Sequence, residues 1–118
     1  MEARAVHKYI STSPRKMRLV IDLIRGKSVS EAMEILHFNT QHASNYAEKV
    51  LRSAVSNLFV KAEKEDDSTR YEADDLFVKE VFVNEGPSMK RVLPAPMGRA
   101  YRIRKRSNHL TIVVAVKS

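Results

Sequence analysis

The chain has 118 residues, 43% of them hydrophobic, which is enough for one small domain with a modest core and leaves little room for a second, so residues 1–118 read as a single domain. With 21 Lys and Arg against 14 Asp and Glu, the formal charge of +7 favours a polyanionic partner, because clustered cations gain free energy by releasing counterions from phosphates. The lack of cysteine excludes a disulfide framework and a thiolate metal site. No apolar run approaches the roughly 20 residues of a membrane span, and MEARAVHKYI has no apolar signal core; the reading is of a cytoplasmic protein with no membrane partner.

In chain order, ARAVHKYI (3–10) alternates, with Ala3, Ala5, His7 and Tyr9 on one side and Arg4, Val6, Lys8 and Ile10 on the other, as a short strand does. Ser13-Pro14 then opens a helix, the serine as cap and the proline at the first position, where its missing donor is harmless. Met17, Val20, Ile21 and Ile24 form its apolar stripe, and Gly26 is the expected stop. Ser28 and Glu31 have the spacing of a capping box for a second helix, with Val29, Ala32, Met33 and Leu36 turned inward. A third, longer helix is predicted from about Thr40 to Lys61, with Ala43, Ala47, Val50, Leu51, Ala54 and Leu58 on the core face.

AEKEDDSTRYEADD (62–75) is polar and without periodicity and reads as a surface loop. LFVKEVFVN (76–84) and HLTIVVAVK (109–117) are dense in β-formers and are expected to pair as antiparallel neighbours. Between them lies EGPSMKRVLPAPMGRAYRIRKR (85–106), far too long for a hairpin turn. Folded about Pro94-Ala95-Pro96 it becomes a two-stranded ribbon whose arms reach about 30 Å. Such a ribbon is marginal in water unless a partner covers it.

Charge is segregated along this half of the chain. Residues 87–118 carry eight bases and no acid, a local charge of +8, whereas residues 61–86 carry four bases and nine acids, a local charge of −5. Arg99, Arg102, Arg104, Lys105 and Arg106, with Tyr101 among them, suit RNA: guanidiniums pair with phosphates and a ring can stack on a base. Arg15, Lys16, Arg18, Arg25 and Lys27 flank the first helix, where a solvated face competes with RNA contact as an explanation. No helix-turn-helix or zinc-finger pattern points to DNA.

Catalytic patterns are missing. There is no H-E-x-x-H, and His37 and His42 stand five apart, off a common helix face. Asp66-Asp67 and Asp74-Asp75 lack EF-hand spacing. Ser13-Pro14-Arg15-Lys16 matches S-x-x-K but has no companion K-T-G or S-D-N, and with three glycines no phosphate-binding loop exists. The reading is of a non-enzyme with no metal or cofactor.

The run Glu85-Gly86-Pro87-Ser88-Met89-Lys90-Arg91, then Pro94, Gly98-Arg99-Ala100, Arg102-Ile103, Lys105-Arg106 and His109 before TIVV, resembles the signature of the L-twenty-two family of large-subunit ribosomal proteins; SPRKMRLVIDLIRGKSVSEAMEIL resembles its first two helices. The resemblance implies an α+β fold, three helices packed on a small three-stranded antiparallel sheet, with a long protruding β-hairpin at about 85–108. It also implies a structural constituent of the large ribosomal subunit that binds 23S rRNA and neighbouring large-subunit proteins, supports assembly, and uses its hairpin to help line the nascent-polypeptide tunnel. No homo-oligomer is expected.

Carried over by position, Met89, Lys90, Arg91, Arg99, Arg102, Arg104, Lys105, Arg106 and His109 belong to the rRNA-facing hairpin, joined by Arg15, Lys16, Arg18, Arg25 and Lys27 from the body. Val92, Leu93, Pro94, Ala95, Pro96, Met97 and Gly98 form a tunnel-facing tip. Ala95, Pro96 and Met97 stand where relatives often carry basic residues, which implies a smoother, more apolar wall.

Overall fold

The structure, a computed structural model, describes residues 2–64, 72–94 and 100–116. Strand β1 (Glu2–Ile10) is followed by helices α1 (Pro14–Ile21), α2 (Val29–Phe38) and α3 (Ala43–Lys64), then by β2 (Leu76–Glu85), β3 (Met89–Pro94), β4 (Ala100–Lys105) and β5 (Asn108–Val116). β1, β5 and β2 form an antiparallel sheet in that order, and β3 and β4 form a separate two-stranded ribbon. The expected α+β body with a protruding hairpin is what the chain builds.

Both predicted caps are present. Ser13 and Ser28 hold extended backbone, and their hydroxyls accept hydrogen bonds from the N–H groups of Lys16 (3.3 Å) and Glu31 (3.4 Å). The core is one cluster in which Met17, Val20 and Ile21 of α1, Val29 and Leu36 of α2, and Leu51 and Leu58 of α3 meet Leu110, Ile112 and Val114 of β5.

A bulge between Val78 and Glu80 keeps β2 in phase with this core. Leu76 and Val78 point inward before it, and the extra residue resets the alternation so that Val81 and Val83 do so after it. A second register shift, in β1 between His7 and Ile10, corrects the sequence reading: unbroken alternation would turn Tyr9 inward with Ala5, but Ile10 is 1% exposed and Tyr9 is 66% exposed. Tyr9 occupies the left-handed region at φ 60°, the one non-glycine with positive φ among the described residues.

Three element boundaries depart from expectation, two of them where local hydrogen bonds close a turn in place of a further turn of helix and one where a helix runs on. α1 stops at Ile21 rather than running on to a stop at Gly26, since the following turn makes i→i−3 bonds (Leu23 to Val20, Ile24 to Ile21). It then docks on the β2 edge, with the Gly26 N–H donating to the Val78 carbonyl (3.2 Å) and the Val78 N–H donating to that of Lys27 (2.9 Å). α3 starts at Ala43 rather than Thr40, because the Asn39 carboxamide oxygen accepts from the Gln41 N–H at 2.8 Å and holds a turn there. Of the loop expected at 62–75, Ala62 to Lys64 continue α3 with Ala62 buried, and Ala73–Asp75 form a 3₁₀ turn; residues 65–71 lie outside the described residues.

The ribbon continues β2 and β5 past a joint. Glu85 pairs with Asn108 and Met89 with Lys105, so residues 86–88 oppose only 106–107, and the joint is held by the Gly86 N–H to the Ser107 carbonyl (3.0 Å) and the Ser107 hydroxyl to the Pro87 carbonyl (2.8 Å). The register runs to Pro94 opposite Ala100. Pro94 is therefore the last paired residue of β3 and not part of the turn, a correction to the expected fold point; each strand of a two-stranded ribbon has a free edge, where a missing donor is tolerated. The tip positions Ala95, Pro96, Met97, Gly98 and Arg99 lie outside the described residues. The ribbon makes the molecule 68 Å long with a radius of gyration of 17.7 Å, against about 13–14 Å for a compact chain of this length.

Candidate nucleic-acid interface

The β1–α1 turn, the N-terminus of α1, the entry to α3 and the joint of the ribbon converge on one cleft of about 1010 Å³. Among the described residues its walls carry Lys16, Lys105 and Arg106 and no Asp or Glu. Asn108, fully buried, fixes the convergence: its amide Nδ2 donates to the Thr12 carbonyl at 2.8 Å and to the Thr12 hydroxyl at 2.7 Å, tying the start of β5 to the β1–α1 turn. A smaller adjoining cleft is lined by Pro14, Glu85, Gly86, Ser88, Arg106 and Ser107, so the ribbon joint rests against the first turn of α1.

The candidate bases separate into two groups. Arg15 and Lys16 are exposed on the α1 turn nearest the joint, and Lys105 and Arg106 are exposed on the joint itself. Arg25 and Lys27 instead lie beyond the other end of α1, beside Val78, and Val78 and Glu85 are seven residues apart on β2, about 20 Å along the strand. Arg25 is also engaged by Asp22 at 3.2 Å. Arg18 sits between the groups, with one guanidinium nitrogen donating to the Val83 carbonyl at 3.3 Å.

On the ribbon, the backbone places Lys90 opposite Arg104, Arg91 opposite Ile103 and Val92 opposite Arg102, so both arms bring bases to the same stretch; Lys90 is exposed. His109 is half-buried and braces the cleft: its Nδ1 accepts from the Tyr9 N–H at 3.0 Å, and its ring meets that of Tyr9 edge-on at 4.9 Å and 86°. That bond requires the neutral Nδ1 lone pair and so sets the proton on Nε2.

Tyr9, Gln41 and His42 also line the cleft, and sequence reasoning gave them no role. For Tyr9 the available signal was a fault in the alternation, a large apolar Ile10 following directly on an aromatic residue.

Among the described residues no group of three or more His, Cys, Asp or Glu side chains is gathered closely enough to hold a metal ion, and no helix is long and apolar enough to cross a membrane.

The family described as ribosomal protein L22p/L17e matches residues 5–115. The chain belongs to the ribosomal protein L22p/L17e family. The large ribosomal subunit protein uL22 of Chlorobium phaeobacteroides is 58% identical over 114 residues, covering 97% of this chain and 94% of that protein. The proteins of the same name from Chlorobaculum tepidum and Chlorobium phaeovibrioides are each 56% identical over 114 residues, covering 97% of this chain and 92% of theirs. As a member of this family the chain is a ribosomal protein, located on the ribosome in the cytoplasm.

Proposed function

We propose that the chain is a structural constituent of the large ribosomal subunit that binds 23S rRNA through the ribbon joint and its arms. In this reading residues 1–118 act as one domain without catalysis. The α+β body is the anchor, it packs beside neighbouring large-subunit proteins, and the ribbon supports subunit assembly by threading folded RNA. Its tip, Val92 to Gly98, helps line the path of the nascent polypeptide.

The observation that carries the reading is the cleft where Lys16 meets Lys105 and Arg106 at the root of a basic ribbon, with no acid among its described walls. Bases brought together on one cleft repel one another, and a polyanion lying between them relieves that repulsion. The ribbon has no second layer to bury a face against, so RNA packed along both sides supplies what the body does not.

If roughly five cations meet phosphates, the logarithm of rRNA affinity falls against the logarithm of salt with a slope of about −3.5 to −4.5. Sedimentation of cell extract provides the test in the particle: the protein co-migrates with large subunits through a moderate salt wash. Recovery only in the light fractions, or a salt-insensitive interaction with 23S rRNA, overturns the reading.

A further inference from the structure

Tyr9 is held in an unusual way. Bulky L-residues adopt positive φ only where the surroundings impose it, and such strain collects at functional positions. Here Tyr9 lies in the β1 register shift, where His109 takes its N–H and meets its ring edge-on. The consequence is an aromatic ring kept out of the core, 66% exposed, at the wall of the cleft that holds Lys16, Lys105 and Arg106. Gln41 and His42 face the same space from the entry to α3 and supply the donors and acceptors that read a base edge.

We propose that this cleft seats a single unstacked nucleotide of the bound RNA, its base lying on the Tyr9 ring and its phosphate held among Lys16, Lys105 and Arg106. The inference rests on the RNA-binding reading above and adds to it a defined pocket for one residue of the RNA. Phosphate binding alone needs only the cations. A ring beside them, in a cleft of about 1010 Å³ that also exposes Leu19, fits an aromatic base as well as its backbone. Complementarity favours nucleic acid over a peptide, because the described walls offer three cations and no anion.

The test compares the full chain with Tyr9→Phe and Tyr9→Asn in binding a 23S rRNA transcript, together with ultraviolet cross-linking of the wild type in large subunits. Asn tolerates the left-handed backbone, so Tyr9→Asn removes the ring without adding strain, and its melting temperature is expected to be no lower than that of the wild type. Tyr9→Phe keeps affinity within about twofold, while Tyr9→Asn loses about 5- to 150-fold, the equivalent of one base–aromatic stack, with the salt slope unchanged. The cross-linked nucleotide maps to the peptide containing Tyr9, and AMP or UMP at millimolar concentration does not displace the transcript.

Wild-type affinity in Tyr9→Asn, or a cross-link map that omits the Tyr9 peptide, overturns the nucleotide seat while steep salt dependence leaves RNA binding standing. Displacement by AMP or UMP alone reassigns the cleft to a free nucleotide and also overturns it. Salt-insensitive binding by the wild type removes the RNA reading itself.

Discussion

The Asn108 amide donates two hydrogen bonds to Thr12, at 2.8 Å to its carbonyl and 2.7 Å to its hydroxyl, across 96 residues of chain. This contact is where the ribbon is aimed. Asn108 is the first residue of β5, it pairs with both Glu85 of β2 and Ile10 of β1, and it is fully buried. Whatever fixes Asn108 therefore fixes the direction in which the two arms leave the sheet.

Replacing Asn108 with Ala strands two acceptors of Thr12, and stability is expected to fall by about 1–3 kcal/mol. Asn108→Asp is expected to cost more, since a carboxylate cannot donate to either acceptor and would bury its charge. Urea denaturation gives the order wild type, Ala, Asp, from most to least stable. An Asp variant as stable as the wild type would contradict the described geometry.

Gly86 marks the ribbon joint in a different way. A Cβ there would come within 2.5 Å of the Ser107 hydroxyl, 3.2 Å of the Ser107 backbone carbon and 3.3 Å of the His109 ring. Gly86→Ala thus forces the Ser107 side chain off the Pro87 carbonyl and presses on the ring that braces Tyr9, at a cost of about 1–3 kcal/mol. Adding Ser107→Ala removes the closest clash and is expected to restore part of the loss in a double-mutant cycle; additive effects would show that the two sites do not touch.

Much of the body was legible because its signals are local. Ser13-Pro14 and Ser28-x-x-Glu31 announce helix starts within four residues of chain, and the stripes of α1 and α3 match the buried residues. The hairpin was legible in the length of the 85–106 connection between two β-rich runs and in its prolines, and the family motif at 85–109 agreed with it. What could not be read were features decided by a partner element. The segment after α1 is captured at Gly26 and Lys27 by the edge of β2, and the bulges at Tyr9 and Lys79 exist only in register with β5. The cleft is assembled from segments around residues 9–19, 41–43 and 105–107 together with Pro87, so the meeting of Tyr9 and Arg106 has no signature in either stretch. Charge runs named the bases but could not separate Lys16, which joins the cleft, from Arg25, which answers Asp22.

The far end of the sheet offers a pH-dependent contact well away from the ribbon. Lys79 Nζ meets a Glu2 carboxylate oxygen at 2.6 Å, and this hydrogen bond, reinforced by the opposite charge, lowers the Glu2 pKa below its ordinary 4.5 and raises that of Lys79 above its ordinary 10.5. A depressed carboxyl contributes stability above its unfolded pKa and loses it as pH falls through the folded value; a raised ammonium contributes below its unfolded pKa and loses it as pH rises through the folded one. The pair therefore acts between an acid limit below 4.5 and an alkaline limit above 10.5. Both groups are exposed, so the effect on stability is small and is best read by NMR titration of the Glu2 carboxyl. Its midpoint lies below the usual range in the wild type and rises toward it in Lys79→Met, where Lys61 and the N-terminal ammonium still act on the carboxyl; an unmoved midpoint would show that the contact is not formed in solution.

Lys105 and Arg106 carry the clearest prediction for RNA, because both are exposed and neither belongs to the buried cluster. Replacing either with Ala removes one phosphate contact, so the slope of log affinity against log salt is expected to shallow by about 0.7–0.9 for each, and the double variant by the sum. Melting curves of the free protein stay close to the wild type, since exposed positions away from the core change stability by about 0.5 kcal/mol or less. Arg25→Ala is the internal control: it lies beyond the opposite end of α1, already answers Asp22, and is expected to leave the slope unchanged. Should Arg25→Ala shallow the slope as much as Arg106→Ala, the interface would extend over the whole of α1, and the division of the bases into two groups would fail.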